Sequence, residues 1–262
     1  MTLTTNEPTS LSESLDYSWL VGQLDGPSVG VMLYGSYARG DQLPGSDIDV
    51  VQLVKRFRPS YQKGKLSASV YTYAHLRKLS EKGSLFILHL LKEGQIVVDP
   101  QGDLKAILEA YRAPPSYDSL RLNLRAAASI LDVDASVFLT NPSGFSRLAL
   151  YLLRTEAYTR CVEVGHPTFS MAAVAQRLQD SRITECFQLR AQRSAEYEYF
   201  CKARNLMEEY LGCQVTNPYG TIEAFSVNMS VKCPFASVLA LRIIRGEVDI
   251  EYENIFPDVA AQ

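Results

Sequence analysis

The chain has 262 residues, 47% of them hydrophobic and 21% charged, with a formal net charge of -3. That balance excludes a disordered or fibrous chain and predicts a globular fold with room for two domains of ordinary size. Residues 1–116 carry 12 basic and 12 acidic side chains and the remainder 14 and 17. Neither half therefore has the basic excess by which a general polynucleotide binder gains affinity from counterion release.

Cys161, Cys186, Cys201, Cys213 and Cys233 all lie in the second half, odd in number and without a C-x-x-C pair. They read as reduced, mostly buried thiols. Met1 to Ser10 is polar, with neither an apolar core nor a basic leader, and no stretch approaches ~20 uninterrupted apolar residues. The expectation is a cytoplasmic chain with no membrane partner.

In chain order, Ser12 to Leu24 has Leu15, Trp19, Leu20 and Leu24 at helical spacing and is stopped by Asp25-Gly26-Pro27. Val29 to Tyr34 is short, apolar and bounded by glycine, as a buried strand is. Ile48 to Val54 reads as a second strand and Leu66 to Tyr73 as a third, with Ser67, Ser69, Tyr71 and Tyr73 on one face. Arg56 to Lys65 between them reads as a basic, solvent-facing loop. His75 to Lys92 has helical periodicity, Gln95 to Val98 returns as a strand, and Leu104 to Tyr111 is a further helix.

Ala113-Pro114-Pro115-Ser116 is the boundary candidate, because consecutive prolines remove backbone donors and end a helix. Beyond it the strand signals fade, and segments 119–131, 144–164, 170–179, 184–212 and 234–245 show helical spacing. The expected fold is α+β, a small mixed-sheet domain over residues 1–113 followed by an all-helical bundle over residues 117–262.

The chemistry is concentrated in Leu33-Tyr34-Gly35-Ser36-Tyr37-Ala38-Arg39-Gly40-Asp41 and Gly45-Ser46-Asp47-Ile48-Asp49-Val50. Gly35 at a strand end lets backbone approach a polyphosphate, and the amides after it face negative oxygens. Ser36 adds a hydroxyl donor. Asp47 and Asp49, two apart, point to one face of a strand, where both carboxylates reach one hard cation. At Arg39 a phosphate ligand competes with a solvated charge beside Asp41.

Gly35-Ser36, ten intervening residues and Asp47-Ile48-Asp49 resemble the signature of the DNA polymerase beta-like nucleotidyltransferase superfamily, over roughly the first 110 residues. The resemblance implies transfer of a nucleoside monophosphate, AMP favoured, from a triphosphate to a hydroxyl. Gly35, Ser36 and Arg39 would then bind the nucleotide, and Asp47 and Asp49 would be the catalytic ligands of Mg2+. The two-part plan is similar to bacterial aminoglycoside nucleotidyltransferases and to toxin-antitoxin systems, so the acceptor is a small molecule, a protein side chain or an RNA end. Active relatives carry a third carboxylate on a later strand, and Ser67 to Tyr73 has no acid. Glu93, Asp99, Glu156 and Glu163 are the candidates to replace it. A nucleotide-binding or interaction module without turnover is therefore the alternative.

Arg160 and His166 are similar in spacing to the arginine-histidine pair of HEPN-type ribonucleases. For His166, between Gly165 and Pro167, a surface or packing role is the preferred reading. His75 and His89 lack a partner at metal-ligand spacing and are assigned to packing or surface.

Overall fold

The computed structural model describes residues 15–43 and 45–246. The first element of the described residues is α1 (Tyr17–Gln23), whose first turn is capped by Asp16 accepting from the Ser18 and Trp19 amides. β1 (Gly30–Tyr34) is buried throughout, and the chain passes without a loop into the short α2 (Gly35–Arg39). Gly40 then ends α2 at φ 77°, a left-handed position that glycine takes without a Cβ penalty.

β2 (Ile48–Val54) follows, then β3 (Tyr61–Lys63) and β4 (Leu66–Thr72) as a hairpin. The basic stretch read as loop thus contains an edge strand, too short and too polar to show an alternating pattern. The helix expected over His75 to Lys92 is two helices, α3 (Tyr73–Glu81) and α4 (Leu85–Glu93). Gly83 separates them at φ 74°, where a Cβ would stand 2.4 Å from the Arg112 carbonyl oxygen. Ser84 then caps α4 through the Phe86 amide. β5 (Gln95–Val98) and α5 (Asp103–Glu109) complete this part.

The sheet order is β3-β4-β2-β1-β5. β2 and β4 run parallel while the other neighbours are antiparallel, so the sheet is mixed. Alternation along the strands sends two sets of side chains to opposite faces. Leu33, Ile48, Val50, Leu66 and Ala68 pack with Leu20 and Ala38 in a small core beside α1 and α2. Met32, Tyr34, Val51, Leu53 and Tyr71 face the other way, into the main core.

The rest is mainly helical, as expected: α6 (Asp118–Ala128), α7 (Ala135–Phe138), α8 (Pro142–Glu163), α9 (Met171–Leu178), α10 (Ser181–Gln188), α11 (Arg190–Arg193), α12 (Tyr197–Leu211), α13 (Ile222–Lys232) and α14 (Pro234–Arg245). The periodic segment 184–212 is divided among α10, α11 and α12. The main core runs without a seam from Met32 to Ile244, so the apolar face of the sheet and the helical bundle share one interior. All five cysteines are free, Cys161 and Cys186 buried and the other three partly exposed. Among the described residues no helix is long and apolar enough to cross a membrane.

Candidate active site

β1 and β2 are antiparallel neighbours in a register that sets Tyr34 opposite Asp49. The turn into α2 starts one residue later, so the Gly35 backbone arrives beside the Asp49 side chain. Gly35 takes φ 72°, and a Cβ built there would lie 2.5 Å from Asp49 Oδ2. The positive φ favours glycine, and any Cβ here would displace the Asp49 carboxylate. No side chain caps the first turn of α2, and Ser36 is partly exposed at its start.

Asp49 is half-buried on the strand, and Asp47 is exposed one residue before β2 begins. On the other side of β2, Asp49 is the register partner of Ser67, with Ser69 two residues along. Both serines are buried, and Ser69 shares a 3.1 Å hydrogen bond with the Tyr34 hydroxyl. Small hydroxyls therefore occupy the β4 positions beside Asp49, and β4 carries no acid. Among the described residues no set of three or more His, Cys, Asp or Glu side chains is gathered to hold a metal ion.

The four acids considered as replacements are each engaged elsewhere. Asp99 accepts the Leu104 and Lys105 amides at 3.1 and 3.0 Å and so opens α5. Glu156 is 1% exposed and lies between Arg121 Nε at 3.0 Å and Arg160 Nε at 3.1 Å. Glu163 pairs with Arg121 at 2.6 Å. Glu93 receives Arg39 Nη1 at 2.9 Å and the Phe169 amide at 2.9 Å, and His89 Nε2 stands 3.3 Å from it.

Arg39, a nucleotide ligand on the sequence reading, is at the end of α2 with Asp41 on its Nε and Glu93 on its Nη1. Burial opposes its charge, but the bonds to Asp41 and Glu93 outweigh that and raise its pKa above the ordinary arginine value. Burial likewise opposes ionisation of Glu93, yet bonding from His89, Arg39 and the Phe169 amide brings its pKa below the usual carboxylate range. His89 is 5% exposed, and burial lowers its pKa, so it is neutral at pH 7. Nothing in the spacing of Arg39, Glu93 and Phe169 reveals this cluster, because its members come from three distant parts of the chain.

In the helical half, Arg160 donates to Glu156 and to the Tyr210 carbonyl, and its guanidinium lies 4.6 Å from the Tyr210 ring centroid. His166 is exposed past the end of α8. Arg160 thus holds helices together.

The sheet is thus mixed and five-stranded, with the glycine-serine turn of β1 abutting a carboxylate on the neighbouring strand. Residues 20–109 match the family model described as "Nucleotidyltransferase domain", and this part of the chain is a polymerase beta-like nucleotidyltransferase domain. A comparison of the chain with curated proteins found no match.

Proposed function

We propose that the protein transfers a nucleoside monophosphate, with ATP the favoured donor, from a nucleoside triphosphate to a hydroxyl acceptor. The observation that carries this reading is the close approach of Gly35 to Asp49 within the matched domain. It brings a backbone that tolerates a phosphate oxygen at short range next to a carboxylate able to hold a cation. In the reaction the acceptor oxygen bonds to the α-phosphorus, the bond from that phosphorus to the β-bridging oxygen breaks, and pyrophosphate leaves with the electron pair. The hydroxyl proton is lost to solvent.

Gly35 and Ser36 bind the terminal phosphates through backbone amides and the serine hydroxyl. Asp47 and Asp49 would hold Mg2+, and the donor set fits it: two hard oxygen ligands beside the proposed phosphate site, the usual partners of an ion that retains several waters. When bound, the ion supplies positive charge for the triphosphate oxygens. Arg39 lies one turn along α2 from Ser36 and would bind the nucleotide by exchanging one of its two carboxylate partners, Asp41 or Glu93, for a phosphate oxygen. The helical half selects the acceptor, which by chemistry is a small hydroxylated molecule, a protein side chain or an RNA end. The exposed Asp47 and half-buried Asp49 leave the site open to solvent.

The second reading, a nucleotide-binding or interaction module without turnover, as in a toxin-antitoxin or defence system, is favoured by one observation. Ser67 stands beside Asp49 in place of an acid, and Glu93, Asp99, Glu156 and Glu163 are all bound elsewhere. Incubation with each labelled triphosphate and Mg2+ separates the two. Pyrophosphate release that disappears in Asp49→Asn supports transfer, whereas nucleotide binding without release supports the module.

A further inference from the structure

Beside the Gly35-Ser36 turn Arg39 belongs to a polar assembly whose other members, Glu93 and the Phe169 amide, have no role in the proposed transfer. Arg39 closes α2 and gives its Nη1 to Glu93 Oε2 at 2.9 Å. The other oxygen, Glu93 Oε1, receives the Phe169 amide at 2.9 Å. Phe169 belongs to the segment between α8 and α9, in the helical half. Its carbonyl accepts the Tyr158 hydroxyl at 2.7 Å, and its ring stacks on His89 with centroids 4.5 Å apart and planes at 14°. The far end of α2 is held in the same region, where Gln95 Nε2 donates to the Ala38 carbonyl at 2.6 Å.

One carboxylate therefore has three partners: an arginine at the end of α2, His89 one turn back on α4 at 3.3 Å, and a backbone amide of the bundle. The side chains of Arg39 and Glu93 are 20% and 13% exposed, so solvent screens their attraction far less than that of a surface pair. With both oxygens accepting hydrogen bonds, Glu93 is poorly placed to take a proton from an acceptor hydroxyl.

We propose that Glu93 is a positioning residue for the nucleotide: through Arg39 it fixes the Gly35-Ser36 turn, and through the Phe169 amide it ties that turn to the helical half. The proposal rests on the nucleotidyl-transfer reading of Gly35, Ser36 and Asp49. Its consequence is that the bundle contributes to nucleotide affinity, and that an acceptor displacing the segment around Phe169 is felt at the phosphate turn.

Two variants of the full chain test this, with thermal melting as the check on folding. Glu93→Gln keeps a carbonyl oxygen for the Phe169 amide and loses the ion pair with Arg39, while Glu93→Ala loses both. Amide hydrogen exchange on the free protein is expected to rise about 10-fold over residues 36–41 in both variants, and at Phe169 only in Glu93→Ala. Titration with fluorescent N-methylanthraniloyl-ATP and Mg2+ is expected to show affinity weakened about 10-fold in both, with KM raised and kcat changed by less than about 3-fold. Exchange and affinity equal to wild type in Glu93→Gln overturn the proposal alone. So does a collapse of kcat at unchanged KM, which marks a base. A wild-type chain that binds no nucleotide overturns the underlying reading and this proposal with it.

Discussion

Gly35 and Asp49 are in contact across the β1 to β2 register, close enough that a methyl group on Gly35 would stand 2.5 Å from Asp49 Oδ2 and 3.4 Å from its Cβ. Gly35→Ala is expected to lose about 1–2 kcal/mol from the left-handed backbone alone and, by pushing the carboxylate aside, to weaken binding of ATP with Mg2+ by about 10-fold or more. Gly40→Ala is the matched control. Its φ is 77°, but an added Cβ meets nothing within 4 Å, so it carries the backbone cost without the clash. Denaturant unfolding and nucleotide titration of the two variants check the pair. Equal nucleotide affinity in both would remove Asp49 from the site.

The two aspartates are expected to behave differently from structural acids. Asp47→Asn and Asp49→Asn should each lower the rate of pyrophosphate release about 100-fold or more, the scale on which loss of charge stabilisation is felt in such displacements. Melting curves check that each variant is folded under the assay conditions. An enzyme that keeps its rate with Asp49→Asn would count against the metal site.

Glu156 gives the opposite pattern. It is 1% exposed between Arg121 and Arg160, and burial raises its pKa against the lowering effect of those two guanidinium groups. Glu156→Ala removes the buried carboxylate that Arg121 and Arg160 share at the α6 to α8 contact, leaving Arg121 its pair with Glu163 and Arg160 the Tyr210 carbonyl, and is expected to cost about 1–3 kcal/mol of stability. Activity per folded molecule should not change. Circular dichroism melts together with rates normalised to folded protein make the test, and a fully folded but inactive variant would return Glu156 to the chemistry.

The strands were legible in the sequence where burial imposes a pattern. β2 begins and ends at Ile48 and Val54, as read, because both faces of that strand are covered. α14 begins at Pro234 and stops at Gly246, the two residues that signal a start and a stop. α13 was not legible. Phe225 and Met229 are buried on one side while Val227 and Val231 are 69% and 81% exposed on the other, so there is no single apolar stripe to detect. The turn after β1 was legible because a glycine at a strand end marks a backbone position of positive φ, which Gly35 takes. The Arg39, Glu93 and Phe169 cluster was not, since it depends on which helix lands beside α4. Tertiary packing decides that, and local pattern does not record it.

His89 makes the fold sensitive to acid. Burial lowers its pKa below the ordinary histidine value, with Arg39 and Arg154 adding repulsion and Glu93 partly opposing them. Burial, with Lys78, also lowers His75. For a histidine whose folded pKa is depressed, the unfolded chain takes up the proton first as pH falls. Stability is therefore full above the unfolded value of about 6.5 and declines below it until the folded pKa is reached. Each such histidine contributes a slope of up to about 1.4 kcal/mol per pH unit in that window. Glu93, depressed for its own reasons, adds a loss of the same sign below the carboxylate range. His89→Phe keeps a ring against Phe169 and removes one titrating group, so its unfolding free energy should fall less steeply between pH 6.5 and the carboxylate range, by up to one proton's slope. His75→Phe separates the second contribution. Urea unfolding at a series of pH values measures both, and an unchanged slope in His89→Phe would mean that His89 is charged in the folded chain.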